Sequence, residues 1–113
     1  MLNLNDNAKI WLCAEPTDMR KSFDGLVAMT KTVLQKNPLN GDWFVFINRK
    51  QSQMKVLYFA TGGYALWCKR LEKGTFTRLK NSELSLGELL LLIDGIDLKS
   101  GKNKARFSLQ NKP

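Results

Sequence analysis

Histidine is missing from this sequence altogether. That absence removes the commonest general base, the usual partner of a nucleophilic serine or cysteine, and the commonest transition-metal ligand. Any catalysis would have to rest on carboxylates, lysine or tyrosine. Cysteine is scarce: Cys13 and Cys68 stand 55 positions apart with no CxxC pairing. No zinc site is spelled out, and both are expected as reduced, small hydrophobes at strand positions. Long hydrophobic runs are absent too, none approaching the roughly 18 residues of a membrane span. The N-terminal MLNLNDNAKIWLC lacks the charged and long apolar regions of a signal peptide. The chain is therefore expected in the cytoplasm, with no membrane partner, cofactor or metal.

Acidic residues are nearly missing from the middle of the chain. Residues 1–48 balance five Lys/Arg against five Asp/Glu, whereas 49–80 set eight Lys/Arg against Glu72 alone. Residues 81–98 hold four acids and no base, and 99–113 hold five cations and no acid. The net charge of +8 thus comes from the centre and the end of the chain. That is the distribution of a polyanion-facing protein, nucleic acid being the default partner, against a plainer reading as lysines that confer solubility.

With 113 residues, 43% of them hydrophobic, the chain is long enough for one packed core and not two. Residues 1–98 are expected as a single domain and 99–113 as a flexible basic tail. Ile10–Cys13 reads as a short strand. Met19, Phe23, Leu26, Val27, Val33 and Leu34 recur at helical spacing, up to a stop at Asn37-Pro38. Asp18 is placed to cap the start of that helix, with Ser22 as the alternative cap. Arg20 and Lys21 would oppose the helix dipole there, which suggests a pair with Asp24 or a phosphate contact.

Trp43–Asn48 and Met54–Phe59, separated by Arg49-Lys-Gln-Ser-Gln53, read as an antiparallel hairpin with a basic tip. Thr61-Gly-Gly63 turns into a strand over Tyr64–Leu71, and Glu72-Lys-Gly74 turns into a short segment over Thr75–Arg78. Ser85-Leu-Gly-Glu88 fits a capping box, Leu84 and Leu89 a hydrophobic staple, and Gly95 a left-handed C-cap, which predicts a helix over 86–94. Its leucines outnumber what one face can hold, so Leu91 or Leu92 is left for another chain or for burial from two sides. The expected fold is α+β: an antiparallel meander of four to five strands with two helices packed on it and a disordered basic tail.

The expected nucleic-acid contacts are Arg20, Lys21, Arg49, Lys50, Lys69, Arg70, Lys73 and Arg78, with Phe59, Tyr64 or Trp67 available for stacking or, more often at such positions, for the core.

Several of these stretches, in order and spacing, resemble one family. They are Pro16-Thr-Asp-Met-Arg-Lys-Ser-Phe-Asp-Gly-Leu26, Phe44-Val-Phe-Ile-Asn-Arg-Lys50, Lys55-Val-Leu-Tyr58, Gly63-Tyr-Ala-Leu-Trp-Cys-Lys-Arg-Leu-Glu-Lys-Gly74 and Leu84–Asp97. The chain is similar over about residues 9–98 to the TnpB-type protein encoded by the second open reading frame of insertion sequences of the sixty-six family. The signature residues fall on Thr17, Asp18, Met19, Arg20 and Lys21, and on Lys69, Arg70, Leu71, Glu72, Lys73 and Gly74. The resemblance implies a non-catalytic accessory required for DNA transposition with no catalytic residues; taken with the charge pattern, its expected partners are the DNA backbone, the element's own transposase, or both. The alternatives are a protein-interaction module without DNA contact and, from another class, a carboxylate-dependent nuclease. Two departures stand out: Gln51-Ser-Gln53 replaces an arginine-rich turn common in relatives, and Phe59-Ala60 stands where relatives often have Trp-Asp.

Overall fold

The computed structural model describes residues 7–77 and 79–95. Five strands and two helices follow in the order β1 (Ile10–Leu12), α1 (Phe23–Thr32), β2 (Trp43–Ile47), β3 (Gln53–Ala60), β4 (Gly63–Arg70), β5 (Ser82–Leu84) and α2 (Leu86–Asp94). They form one five-stranded sheet in the order β4-β3-β2-β1-β5. The fold is α+β and mostly antiparallel. The basic tail expected at 99–113 and the contact expected at Arg78 lie outside the described residues.

The meander holds for β2, β3 and β4, which pair antiparallel in sequence order. Thr61 and Gly62 both take positive φ (54° and 79°) between Ala60 and Gly63, the two-residue turn whose twist matches a hairpin. The structure departs from a pure meander at β1, which runs parallel to β2 in the register Ile10↔Trp43. A parallel pair needs a crossover, and α1 supplies it. The sequence signal was β2 itself, every residue of which is buried, because a central strand covered on both faces reads as one continuous apolar run.

Thr75–Arg78 is a second correction. Thr75 to Thr77 form no strand; Phe76 is instead a fully buried plug. The fifth strand is Ser82–Leu84, antiparallel to β1.

Alternation divides the side chains between two cores. Trp43, Val45, Ile47, Met54, Val56 and Phe76 pack with Leu89, Leu92 and Ile93 of α2 on one face. Phe44, Phe46, Leu57, Cys13 and Leu26 pack on the face that carries α1. Cys13 is buried as expected, but Cys68 is exposed; neither is in a disulfide.

Helix α1 is shorter at both ends than its apolar spacing suggests. It ends at Thr32, where Thr30, Thr32 and Val33 weaken helical propensity and Gln35 turns left-handed (φ 56°). It begins at Phe23, and Asp18 does not cap it. Asp18 closes a separate turn, accepting the Arg20 amide on Oδ1 (2.9 Å) while its carbonyl accepts the Lys21 amide (3.0 Å). Ser22 occupies the N-cap position without a side-chain bond.

Helix α2 matches its sequence signals from end to end. Ser85 Oγ accepts the Glu88 amide (3.0 Å), Glu88 Oε1 accepts the Ser85 amide (2.8 Å), and Gly95 ends the helix at φ 89°. Leu92 is buried, whereas Leu86, Leu90 and Leu91 are exposed. Because the two capping bonds are reciprocal, replacing Ser85 and Glu88 by Ala should destabilise the fold by about 1 kcal/mol or somewhat more. The single losses should sum to a different value from the double. Strictly additive losses in a denaturant double-mutant cycle would show that the two bonds act separately.

Candidate nucleic-acid interface

The turn between β2 and β3 is held by its own amides. Asn48 Oδ1 accepts the backbone N–H groups of Ser52 (2.8 Å) and Gln53 (3.0 Å), and Asn48 Nδ2 donates to Ser52 Oγ (3.2 Å). Gln51, left-handed at φ 60°, donates through Nε2 to the Phe76 carbonyl (2.6 Å) and accepts the Phe76 amide on its own carbonyl (2.7 Å). The Leu71 amide bonds to the Ser52 carbonyl (2.7 Å). Gln51 thus ties the turn to the buried plug through both its side-chain amide and its backbone carbonyl. Arg49 and Lys50 project from this fixed turn and are exposed.

Pairing of β3 with β4 brings more charge to the same end of the sheet. Arg70 lies opposite Gln53, and Lys69 opposite Met54. Neighbouring residues in a strand point to opposite faces. Arg70 accordingly shares the α1 face with Lys55 and Leu57, while Lys69 shares the α2 face and donates through Nζ to the Ile93 carbonyl (3.3 Å). A cation at the C-terminal carbonyls of a helix complements its dipole. Lys73 is exposed on the turn after β4, which Gly74 closes at φ 83°.

The Thr17–Lys21 segment completes the site. Thr17 is buried and its amide donates to the Ile47 carbonyl (3.0 Å), which extends the β1–β2 alignment past the strands. Lys55 reaches from the middle of the sheet, and its Nζ donates to the carbonyls of Met19 (2.9 Å) and Lys21 (2.8 Å). A groove of about 580 Å³ separates Pro16–Met19 from Asn48–Gln53. A second, of about 440 Å³, runs on between Met19, Gln53, Lys55, Cys68 and Arg70. Met19 and Gln53 line both, so the two form one trough across the end of the sheet.

Arg20 pairs with Asp18 and not with Asp24: Nη2 lies 2.6 Å from Oδ2, and Nε donates to both carboxylate oxygens. The Arg20 side chain, followed by its backbone amide, holds the Asp18 carboxyl down at about 2. In return Asp18 raises the already high pKa of Arg20. Arg70 pairs with Glu72 at 3.2 Å. Lys21, Arg49, Lys50 and Lys73 are in no ion pair among the described residues.

Of the expected contacts, Arg49, Lys50 and Arg70 line the trough, as do Lys55 and Lys69, the latter with its ammonium on the Ile93 carbonyl; Arg20 is held beside it by Asp18, Lys21 lies along Gly25 of α1, and Lys73 stands on the adjoining turn. Phe59 and Tyr64 pack edge-to-face at 5.1 Å. They lie at the opposite end of β4, about 20 Å from Arg70 at a strand's rise per residue. Trp67 is half-buried against the α2-side core. Among the described residues no three His, Cys, Asp or Glu side chains converge as a metal site, and no helix is long and apolar enough to cross a membrane. Sequence reasoning missed Lys55, whose only signal is a cation inside an apolar strand, and the closing role of Asn48.

Residues 8–103 match the family model described as IS66 Orf2 like protein. Two proteins of Sinorhizobium fredii (strain NBRC 101917 / NGR234), both uncharacterized, are similar along most of their length. The chain is 36% identical to y4hO over 86% of its own residues and 88% of the relative's. It is 31% identical to y4jC over 92% of each. No solved structure matches.

The Asp18–Arg20 pair has a direct test. A carboxylate with a depressed pKa contributes above its ordinary value, and that contribution is lost as pH falls through its folded value. Carboxyl NMR should place the Asp18 midpoint at about 2, and Arg20→Gln should return it toward 3.8. An Asp18 midpoint unchanged by Arg20→Gln would mean that the pair is not formed in solution.

Proposed function

Because the chain belongs to the IS66 Orf2-like family, proteins associated with the transposition of insertion sequences, we propose that it is a non-catalytic accessory that holds DNA by its backbone beside the element's transposase. The single observation that carries this reading is the trough. Arg49, Lys50, Lys55, Lys69 and Arg70 line it, and among the described residues only Arg70 of these is matched by an acid. Lys and Arg side chains around a polar trough suit phosphate oxygens, and such contacts fix position without reading sequence. The distance from the trough to Phe59 and Tyr64 argues for backbone contact over base stacking. The acids at the trough, Asp18 and Glu72, are each engaged by an arginine, which fits charge balancing better than metal-dependent cleavage. The proposed setting is the cytoplasm, where element DNA and transposase meet.

A reading through protein contacts has its own support on α2. Leu86, Leu90 and Leu91 are 44%, 45% and 45% exposed, an apolar group on a helix whose other leucines are buried. The transposase is the natural counterpart for such a group, with or without DNA at the trough.

Salt separates the two readings. If about four trough cations neutralise phosphates, the logarithm of affinity for duplex DNA should fall with the logarithm of salt at a slope near −3.6. Replacing Arg49 and Lys50 by Ala should flatten that slope by roughly 1.8, equally for unrelated sequences. Lys69→Ala should leave the slope alone and lower thermal stability, because its ammonium is spent on α2. Absence of salt-sensitive binding at low ionic strength would remove DNA from the reading and leave the α2 leucines.

A further inference from the structure

The two edges of the sheet are unlike. At the β5 edge the strand is three residues long with exposed Glu83 at its centre, a short and charged edge of the kind that resists further pairing. The β4 edge is eight residues long, Gly-Tyr-Ala-Leu-Trp-Cys-Lys-Arg, with no proline and no charge before Lys69. Its two cations are already occupied, Lys69 with the Ile93 carbonyl and Arg70 with Glu72.

The backbone groups left open on this edge can be assigned. Ala60 and Gly63 flank a two-residue turn and so form a hydrogen-bonded pair. Alternation from Gly63 then directs Ala65, Trp67 and Lys69 toward β3, and the Leu71 amide, bonded to the Ser52 carbonyl, continues the same series. Tyr64, Leu66, Cys68 and Arg70 therefore present their N–H and C=O groups outward. Among the described residues none of these backbone groups has a partner.

We infer that β4 pairs antiparallel with β4 of a second copy of this chain, with Trp67 on the two-fold axis, to make one continuous ten-stranded sheet. A two-fold axis normal to the sheet keeps equivalent faces together, so residues of the same parity must meet. Of the registers that obey this, the one centred on Trp67 sets Tyr64 opposite Arg70 and Leu66 opposite Cys68, and alone engages all four outward residues of each copy. Centring on Leu66 or on Cys68 leaves one of the four outside the paired set. The Trp67 register also keeps like charges apart. Arg70 faces the ring of Tyr64, a favourable cross-strand cation–π arrangement, and Lys69 faces Ala65. For a chain with a net charge of +8, an interface that sets cations against neutral residues is the one that self-association requires.

Sedimentation reads the assembly directly and does not depend on whether the trough binds DNA. The free protein at tens of micromolar should sediment at twice the 12.9 kDa of one chain. Cys68→Pro removes an outward N–H that the monomer does not use and an exposed side chain outside both cores, so a folded monomer is expected, with its circular dichroism kept. Ala65→Lys places a cation opposite Lys69 of the second copy and should also give a monomer; it reads the same interface if the proline variant does not fold. A monomeric wild-type protein would overturn the inference and leave the edge to a strand of another protein. So would a dimer that persists in either folded variant.

Discussion

A three-residue strand would not be expected to organise a sheet, yet β1 does so because one carboxylate clasps it. Asp42, almost wholly buried, accepts the Lys9 amide on Oδ1 (2.9 Å) and the Trp11 indole N–H on Oδ2 (3.0 Å), and Asn40 Nδ2 adds a third donor (3.1 Å). The Trp43 amide returns a bond to the Lys9 carbonyl (2.8 Å). A buried carboxylate left without donors would be costly, so the satisfied arrangement selects one register. Ile10 must start opposite Trp43, and the chain leaving β1 must run parallel to β2. From that follow the α1 crossover, the bond of Thr17 to Ile47 and the position of the signature loop at the end of the sheet. Lys36, its ammonium 3.7 Å from the centre of the Trp11 ring, covers the outer side of the clasp.

The trough is correspondingly firm. Its two walls are fixed by bonds to backbone carbonyls: Lys55 ties the Thr17–Lys21 loop to the sheet, and Gln51 ties the β2–β3 turn to Phe76. The backbone beneath the cations is thereby held in place, so only their side chains are left to order. The neighbours Lys69 and Arg70 show how one strand divides its charge, with one holding a helix end and the other facing the trough.

What could be read from the sequence was what is encoded locally. Helix α2 carries its cap, its staple and its terminating glycine within a dozen residues, and its bounds were legible to the residue. The β2–β3–β4 hairpins were legible for the same reason. Helix α1 was not, because an Asp followed by polar residues serves equally as a helix cap or as a closed turn, and only the Lys55 bonds decide for the turn. The parallel seat of β1 depends on Asp42, more than thirty positions away, and Phe76 looked like part of a strand because an aromatic among threonines fits both a strand and a plug. Charge sums located the basic end of the sheet. They could not assign Lys69 and Arg70 to their faces, which requires the register of β4.

Among the described residues the last strand in sequence, β5, closes the outer side of the first. In any chain that ends before residue 84, β1 therefore keeps one flank open. A product that stops short of Leu84 would carry that flank uncovered, together with the bare surface that α2 otherwise fills. An open strand edge and uncovered apolar surface invite proteolysis or aggregation, so the segment from β5 onward is a lid on the core as well as part of it.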